Sequence, residues 1–330
     1  MKAVVVTRFG PNPAPCLQLQ DIPVPTPQPH EVLIRVCAVG VNYADLMQRR
    51  GLYPGGPKPP YVAGMEFAGI VEKVAAVGSP HRVGDRVMGL ASRSYAEFCV
   101  AEPAALFPLP AGVSMVDAAA LPCQYLTAYH ALHTLGRVRP GQTVLVQAGA
   151  GGLGSMLVQL AHIAGMTVLA TASSDEKCEF LRGLGCDHPM NYARVPFAPE
   201  VLRITQGKGC DLVLDSVGGD VFEQSLLCVR PRGHLIVLGM ASGKLRSVAA
   251  LDLLFKSLTV SGLHLFSYLE ETEAQAAAQA SLHVWLQSGR LRPLVRHTFS
   301  LEQAAEAHQL IADRKTTGKV VLTVATTGAG

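Results

Sequence analysis

The stretch QTVLVQAGAGGLGSMLVQLAHIAGMTVLATASSDEK, residues 142–177, contains the strongest pattern in the chain. A β-branched apolar run at residues 143–146 predicts a strand, and G-x-G-x-x-G follows at once at residues 149–154. Apolar residues at helical spacing come next, then Gly165 where a helix should end, and a second apolar run at 167–171. The stretch therefore predicts a strand–turn–helix–strand unit.

Each glycine of this loop has a predicted role. Gly149 permits the tight turn, Gly151 lets the backbone approach a pyrophosphate, and Gly154 lets the helix pack closely on the strand. The helix N-terminus then presents N–H groups and a partial positive charge to the phosphates. Glycine-rich loops also occur as plain turns, but this one lies between a predicted strand and a predicted helix, as a dinucleotide-binding loop requires. We therefore expect a dinucleotide site.

The end of the second strand indicates which dinucleotide is bound. NAD sites place Asp or Glu about twenty residues past the glycines, on the ribose hydroxyls. Here the strand ends in Thr171-Ala172-Ser173-Ser174, with no acid at its tip, and Lys177 follows within reach of a 2′-phosphate. Asp175 and Glu176 are alternatives for a ribose, but they fall in the first turn of the next helix, where the dipole alone accounts for acids. The pattern favours NADPH over NADH.

Composition predicts a compact globular protein. The 330 residues are 49% hydrophobic and 16% charged, which suits one large domain or two ordinary domains, each with its own core. The net charge of +3 is too small to indicate a nucleic-acid surface. The eight cysteines form no C-x-x-C pair, which predicts thiols of a reducing compartment and neither a zinc ribbon nor a disulfide framework. We expect a soluble, cytoplasmic protein with no secretory signal and no membrane span.

The order of the patterns predicts two kinds of domain. Residues 1–125 show short strands with regular turn signals, which predicts a small, partly open barrel. Residues 114–135 change to a helical period, and strands then alternate with helices up to residue 265, which predicts a doubly wound parallel sheet. The strands of this sheet are predicted at 143–147, 167–171, 211–215, 233–238 and 258–264. The remaining chain predicts a helix at 272–288, a strand at 294–300, a helix at 301–313, a strand at 318–324 and a fraying tail at 326–330.

Seven short motifs are spread over nearly the whole chain: VNYAD at 41–45, GMEFAG at 64–69, YAE at 95–97, LTA at 126–128, the glycine loop, DSVGG at 215–219 and TTGKVV at 316–321. With these motifs the chain resembles the medium-chain dehydrogenase/reductase superfamily and, within it, the zinc-free quinone oxidoreductases of the zeta-crystallin group. The resemblance implies an α/β fold in which a GroES-like β-rich catalytic domain accompanies a Rossmann doubly wound parallel-sheet domain.

The resemblance also implies the division of the chain and its assembly. Residues 1–124 form the catalytic domain, 125–265 the NADPH-binding domain, and 266–330 a return segment that completes the catalytic domain. Relatives form homodimers, often with the strand near 258–264 extending one sheet across the interface.

The same resemblance predicts a site without a metal. Zinc alcohol dehydrogenases of this superfamily carry Cys where this chain has Asn42 and His where it has Met65, and catalytic zinc needs three ligands within reach. They also carry a cysteine cluster for a structural zinc, and nothing like it follows Arg93. Glu66 is then interpreted as a carboxylate that is bonded within the fold.

Cofactor contacts are carried over from the resemblance position by position. Residues that match the pyrophosphate loop are Gly149, Gly151, Gly152, Leu153 and Gly154, and those that match the 2′-phosphate site are Ser173, Lys177 and Tyr192. Residues that match the nicotinamide end are Gly239, Met240, Ala241, Leu265 and Phe266 for the carboxamide, with Asn42 and Thr127 facing the ribose. Open alternatives are a solvated helix lysine for Lys177, a half-buried strand-end tyrosine for Tyr192, a core side chain for Phe266, a plain polar turn for Asn42 and a helix-interior threonine for Thr127.

Tyr53 is the predicted catalytic residue, with Asn42 as the second candidate. It lies in GLYPGGP, residues 51–57, a loop whose glycines and prolines prevent regular structure. The related mitochondrial-type enoyl reductases carry a catalytic tyrosine at this place. A phenol can donate a hydrogen bond to a carbonyl oxygen as charge develops there. Simple packing of Tyr53 on a neighbour is the alternative.

The predicted activity is the NADPH-dependent, metal-free reduction of quinones or similar conjugated carbonyl acceptors. An enoyl or 2-alkenal reductase of the same fold is the alternative, and Arg49, Arg50 and Lys58 are then candidates for a basic groove that holds a CoA-bearing substrate. A non-catalytic NADPH-binding protein is the third interpretation, because fold alone does not determine function.

Overall fold

The computed structural model describes residues 1–244 and 246–325 and divides into two compact units. The first unit comprises Met1–Gln124 and the chain from Arg292 onward, and the second comprises Tyr125–Leu291. The predicted tail at 326–330 lies outside the described residues.

The described strands and helices are numbered here in chain order. The strands are β1 (Lys2–Val6), β2 (Leu17–Asp21), β3 (Val32–Val41), β4 (Tyr61–Val62), β5 (Glu66–Val74), β6 (Arg86–Leu90), β7 (Phe98–Ala101), β8 (Leu106–Pro108), β9 (Thr143–Val146), β10 (Thr167–Ala172), β11 (His188–Asn191), β12 (Cys210–Asp215), β13 (Val229–Val237), β14 (Thr259–Gly262), β15 (Val295–Ser300) and β16 (Lys319–Thr323). The α-helices are α1 (Tyr43–Arg49), α2 (Met115–Ala118), α3 (Pro122–Tyr129), α4 (Gly152–Ile163), α5 (Asp175–Arg182), α6 (Phe197–Ile204), α7 (Asp220–Leu227), α8 (Ala250–Lys256), α9 (Thr272–Gln287) and α10 (Ala304–Ala312).

The first unit is built around β3, a long strand that is almost wholly buried. A seven-stranded sheet has the order β15-β16-β3-β5-β6-β8, with β7 also paired to β3, and a second sheet has the order β2-β1-β4. On β3, Val41 pairs with Val320 of β16, and Val39 pairs with Phe67 of β5. This register brings the beginning of β5 and the beginning of β16 to the end of β3.

The second unit is a parallel sheet of six strands in the order β11-β10-β9-β12-β13-β14. The order reverses between β9 and β12, which is the switch point of a doubly wound sheet, and ligands bind outside the carboxyl ends of the strands at such a point. The predicted Rossmann sheet is therefore confirmed.

The second unit extends beyond the predicted boundary at residue 265 because α9 packs on α3. The Tyr125 hydroxyl donates to the Ala278 carbonyl oxygen at 2.7 Å, and the Tyr125 ring lies edge-on to Trp285 with ring centroids 6.3 Å apart. These contacts are made by buried or half-buried side chains. The segment 266–291 therefore belongs with the parallel sheet, and only the chain from Arg292 onward completes the first unit.

The predicted single helical stretch at 114–135 is divided into three parts. α2 ends at Ala118, α3 begins at Pro122, and the backbone continues as a π-helix over His130–Leu135. Proline lacks the N–H that a continuous helix would need and is favoured in the first turn of a new one. The strands β2, β4, β8 and β11 were not predicted, because none of them is an apolar run of strand length.

All eight cysteines lie in the described part of the chain and are free thiols, six of them buried. None of the helices in residues 1–244 and 246–325 has the length and apolar composition needed to cross a bilayer.

Candidate functional site

The glycine loop is a tight turn between β9 and α4. The residue with a left-handed backbone is Ala148, with φ 53°, whereas the three motif glycines have no positive φ. Gly149 donates its N–H to the Thr171 carbonyl oxygen at 2.9 Å, and a Cβ on Gly149 would lie 2.8 Å from the Cβ of Ala170. The predicted role of Gly149 as the turn residue is therefore wrong: glycine is needed there for close packing on β10, and Ala148 makes the turn.

Gly154 packs closely, as predicted, whereas the role of Gly151 toward a pyrophosphate stays a prediction. A Cβ on Gly154 would overlap the Ala148 carbonyl oxygen and lie 2.6 Å from the Gly149 Cα, so only glycine lets α4 pack this closely on the turn. A Cβ on Gly151 would meet nothing nearer than the Ala148 carbonyl oxygen at 3.5 Å. Gly151 is the N-cap of α4, and Gly152 and Leu153 form its first turn. The open surface at Gly151 and the N–H groups of this first turn fit a pyrophosphate.

The residues predicted at the 2′-phosphate lie at the ends of two neighbouring strands. Ala172 of β10 pairs with Asn191 of β11, and Ser173 and Tyr192 follow these paired residues. Lys177 lies in the first turn of α5, where its N–H donates to the Ser174 hydroxyl at 3.2 Å. Burial lowers the pKa of the Lys177 ammonium from its usual value near 10.5. Tyr192 is 44% exposed, which a stacking or hydrogen-bonding role toward a ligand requires.

The residues predicted at the nicotinamide follow the strands on the other side of the switch point. Gly239, Met240 and Ala241 follow β13, and the Ala241 N–H donates to the Ser216 carbonyl oxygen beyond β12 at 3.0 Å. Leu265 and Phe266 follow β14 in a 3-10 turn, Leu265–Tyr268. Leu265 is buried, whereas Phe266 is 41% exposed and so is not a core side chain. All these residues lie at the carboxyl edge of the sheet, and their contacts with a cofactor stay predictions.

In the first unit, four buried polar side chains form one hydrogen-bonded network around Glu66. The Lys319 ammonium, only 3% exposed, donates to the Glu66 Oε1 at 2.6 Å and to the Asn42 Oδ1 at 2.8 Å. The Gln124 amide donates to the Asn42 Oδ1 at 2.5 Å, and the Cys123 N–H donates to the Glu66 Oε2 at 2.8 Å. A buried ion pair needs this number of additional hydrogen bonds, because each charge is otherwise costly to remove from water.

The network occupies all four hydrogen-bonding valences of the Asn42 amide. Its Nδ2 donates to Glu66 at 2.8 Å and to the Gly40 carbonyl oxygen at 3.4 Å, while its Oδ1 accepts from Lys319 and Gln124. A primary amide has two donors and two acceptor lone pairs. A contact between Asn42 and the nicotinamide ribose stays a prediction, and it would have to be made by a side chain that already has four partners and is 4% exposed.

The residues at this place do not fit a catalytic zinc. Zinc needs three N, S or O donors from the protein. Between Asn42 and Glu66 lies the Lys319 ammonium, a fixed positive charge that would repel a metal cation. In the described parts of the chain, no group of three or more His, Cys, Asp or Glu side chains could hold a metal ion.

A second buried polar cluster supports α1, whose N-cap is Asn42. The Asp45 Oδ2 accepts the Asn42 N–H at 2.8 Å and the Tyr95 hydroxyl at 3.1 Å, and that hydroxyl also lies 3.3 Å from the His308 Nε2. Burial raises the pKa of Asp45 to about 7 and lowers the pKa of His308 to about 3, so the imidazole is neutral. This cluster holds α1 in place.

Tyr53 lies after α1, in an irregular loop within the first unit, and its ring is half-buried. Its carbonyl oxygen accepts the Gly56 N–H at 3.0 Å, which closes a turn. Burial, followed by the nearby groups Cys123 and Asp45, raises the pKa of Tyr53 above its usual value near 10. The phenol is therefore a hydrogen-bond donor at neutral pH. Its catalytic role stays a prediction.

Arg49 does not belong to a basic groove, contrary to one interpretation of the sequence. It is 1% exposed, and its Nη1 donates to the Gly10 carbonyl oxygen at 2.8 Å. Arg50 and Lys58 are exposed. Arg49 faces the core because it lies four residues after the buried Asp45, on the same face of α1.

Sequence reasoning missed Lys319 and Gln124 as parts of the site. A signal was present, since Lys319 and Glu66 are charged residues at the beginning of β16 and β5, and an apolar run follows each of them at once. Charged residues are almost never fully buried unless they are paired. The pairing itself depends on the register of β16 and β5 against β3, which the sequence does not display.

Two family models match the chain. The model described as alcohol dehydrogenase GroES-like domain matches residues 28–120, and the model described as zinc-binding dehydrogenase matches residues 152–281. The first match lies in the β-rich unit and the second in the unit with the parallel sheet.

Individual relatives are similar over nearly the whole chain. Quinone oxidoreductase of Pseudomonas aeruginosa is 38% identical over 309 residues, which is 93% of this chain and 95% of the relative. 2-Haloacrylate reductase of a Burkholderia species is 35% identical over 332 residues, which is 98% of each chain. The crystal structure of Escherichia coli quinone oxidoreductase complexed with NADPH has a TM-score of 0.93 at 30% identity, covering 98% of this chain and 100% of that one.

Replacing Lys319 by Met should destabilise the protein strongly, because it leaves the Glu66 carboxylate buried without a counter-charge. We expect a loss of about 3–5 kcal/mol from the free energy of unfolding, measured by urea denaturation of the whole chain. Lys319→Met with Glu66→Gln should recover at least half of this loss. Lys315→Met is the matched control, because Lys315 pairs with Asp313 at 3.4 Å but is 70% exposed; it should cost less than about 1 kcal/mol. Equal losses from Lys319→Met and Lys315→Met would contradict the assignment.

Proposed function

The chain belongs to the zinc-free quinone oxidoreductase group of the medium-chain dehydrogenase/reductase superfamily, and we propose that it reduces quinones or similar conjugated carbonyl acceptors with NADPH. The observation that carries this proposal is the pair of sites just described. The second unit has a dinucleotide loop whose glycines fit a pyrophosphate. The first unit has a fixed internal cation, Lys319, where a metal would otherwise have to lie.

NADPH is the cofactor of this oxidoreductase, as in the Escherichia coli relative solved with it. Bound NADPH supplies the hydride. The first-turn N–H groups of α4 would hold the pyrophosphate, and Ser173, Lys177 and Tyr192 would hold the 2′-phosphate. The residues after β13 and β14 would orient the nicotinamide end.

Tyr53 is the residue of the first unit that we assign to the acceptor. Its raised pKa keeps the phenol protonated at neutral pH, so it donates a hydrogen bond to the acceptor's carbonyl oxygen as negative charge develops there. We assign a positioning role to Asn42. All hydrogen-bonding positions of its amide are occupied, and the amide links Lys319, Glu66 and Gln124. Asn42 is also the N-cap of α1, the helix that precedes the Tyr53 loop. The remaining effect of the protein is to orient the reactants and exclude water.

A conjugated alkene is the second candidate substrate. It is favoured by the similarity to 2-haloacrylate reductase, which covers 98% of each chain. The same phenol would then polarise the carbonyl or carboxyl group that is conjugated with the double bond. Because Arg49 is buried and cannot line the suggested basic groove, a CoA-bearing alkene is less favoured than an alkene without CoA.

Steady-state oxidation of NADPH should be rapid with a naphthoquinone and much slower with crotonyl-CoA, because the structure offers only Arg50 and Lys58 as exposed cations of the suggested groove. Both reactions are followed by the absorbance of NADPH, and activity should survive dialysis against a chelator. Faster turnover of crotonyl-CoA would show that the substrate is a conjugated alkene and not a quinone. Tight NADPH binding without oxidation by either acceptor would indicate a non-catalytic protein.

Tyr53→Phe should lower kcat for the quinone by about 100-fold, since it removes one hydrogen-bond donor from the transition state. The dissociation constant of NADPH, measured from its fluorescence, should stay within about twofold. Tyr61→Phe is a matched control, because the buried Tyr61 hydroxyl has no hydrogen-bond partner in the described residues; its kcat should equal that of the unmodified protein. An unchanged kcat in Tyr53→Phe would remove Tyr53 from the mechanism.

We further propose that the protein is a homodimer through the free side of β14. In the described part of the chain, β14 pairs only with β13 and so ends the sheet. The neighbouring helix α8 exposes Leu251 (62%), Leu254 (68%) and Phe255 (83%), which lie on one face at helical spacing. An unpaired edge next to an apolar face suits a second copy, whose own β14 would pair with it.

Phe255→Lys should therefore convert the dimer to a monomer, because a charge would be buried in the interface. The measurement is the mass from light scattering after gel filtration. Val284→Lys is the control, since Val284 is also exposed (58%) but belongs to α9, a helix outside the proposed interface, and it should leave the mass unchanged. A protein that is monomeric without any substitution would contradict the proposal.

A further inference from the structure

Asp175 is the acid nearest to the tip of β10, where a ribose-binding carboxylate would be expected. It is the first residue of α5, directly after the N-cap Ser174. A free carboxylate here would accept hydrogen bonds from the ribose hydroxyls of NADH and would repel the 2′-phosphate of NADPH. The presence of Asp175 is therefore unfavourable for a site that prefers NADPH.

The structure shows both oxygens of this carboxylate engaged by the turn after β11. The Arg194 Nη2 lies 2.5 Å from the Asp175 Oδ2, and the Asn191 Nδ2 donates to the Asp175 Oδ1 at 2.8 Å. Asp175 thus carries a counter-charge and an amide donor at the same time. Its capacity to accept from a ribose is reduced, and its negative charge is compensated.

The turn that carries Arg194 is itself well defined. The Asn191 Oδ1 accepts the Ala193 N–H at 3.0 Å, and the Asn191 carbonyl oxygen accepts the N–H groups of Arg194 and Val195 at 3.0 and 3.1 Å. Asn191 is the last residue of β11 and pairs with Ala172 of β10. The turn therefore holds Arg194 on the same edge as Tyr192, next to the predicted phosphate position.

We propose that Arg194 is a specificity-determining residue of the cofactor site, which covers Asp175 and so prevents this carboxylate from repelling a 2′-phosphate. The inference rests on the proposed function, because it assigns Arg194 to the NADPH site. Arg194 and Asp175 are 72% and 54% exposed, and an ion pair at this exposure contributes little to stability. The ion pair should affect a bound 2′-phosphate more strongly, because this group carries about two negative charges and the pair lies next to its predicted position.

The test uses the full chain with 2′,5′-ADP and 5′-AMP as probes, which differ only in the 2′-phosphate. The unmodified protein should bind 2′,5′-ADP more tightly, as measured by calorimetry. Arg194→Gln should lower the ratio of the two affinities by about tenfold at low salt, and less at high salt because repulsion from the exposed Asp175 is screened. The ratio of kcat/KM for NADPH and NADH should fall in parallel.

Two further variants test whether Arg194 acts by compensating the Asp175 carboxylate or in another way. Arg194→Gln combined with Asp175→Asn should recover most of the lost ratio, because no carboxylate then remains to repel the phosphate. Arg182→Gln is the matched control. Arg182 pairs with Glu179 at 2.5 Å within α5, and this pair is about as exposed as the pair of Arg194 and Asp175. The ratio of the two affinities should be unchanged in Arg182→Gln.

An unchanged ratio in Arg194→Gln would overturn the inference. The inference would also be overturned if the double variant had as low a ratio of affinities as Arg194→Gln, because Arg194 would then act on the phosphate directly. If the unmodified protein shows no preference for 2′,5′-ADP, the proposed NADPH site itself fails.

Discussion

The ion pair between Lys319 and Glu66 is the constraint on which the first unit depends. Two full charges, 3% and 0% exposed, are removed from water and are tolerated only because further hydrogen bonds complete their coordination. Those bonds come from two other parts of the chain: Asn42, directly after β3, and Cys123 in the first turn of α3. One electrostatic pair therefore fixes the relative positions of strands and helices that are distant in sequence. It also determines the orientation of the Asn42 amide, since Lys319 requires an oxygen where a flipped amide would place a donor.

The second unit depends on a steric constraint instead. Ala148 adopts the left-handed conformation, and Gly149 and Gly154 lack the Cβ atoms that would collide with β10 and with the turn. The beginning of α4 is consequently packed directly against the end of β9. Its first-turn N–H groups then have no partner within the helix, which is the property that a phosphate site uses. Parallel strands bring the predicted cofactor residues between Gly149 and Phe266 to the same edge, although they are far apart in the sequence. Asn42 and Thr127 lie elsewhere, after β3 and in α3.

Local patterns in the sequence predicted most of the second unit but not the polar contacts of the first. The glycine loop, the apolar runs of β9 and β10 and the helix end at Gly165 each depend on adjacent residues, so five of the six strands of the sheet were predicted. The contact of Lys319 with Glu66 depends on two strand registers, and the contact of Arg194 with Asp175 depends on a turn after β11, a strand too short to be predicted. The turn that Ala148 makes was assigned to Gly149, because a glycine in a sequence can indicate conformational freedom or close packing. Arg49 was interpreted as a surface charge, since nothing in its neighbours shows that α1 turns it inward.

The internal cation has a consequence for the class of acceptor. An ammonium that already donates to Glu66 and Asn42 is largely compensated and is not placed to polarise a substrate oxygen. The donor that we assign to the acceptor is the neutral Tyr53 phenol, which would stabilise developing negative charge less than a metal ion does. Simple ketones need strong polarisation before they accept a hydride, whereas quinones and other conjugated carbonyl compounds spread the incoming charge over their own π system. The side chains that replace a metal site are therefore matched to acceptors that need little help from the protein, and this match supports the proposed substrate class independently of any relative.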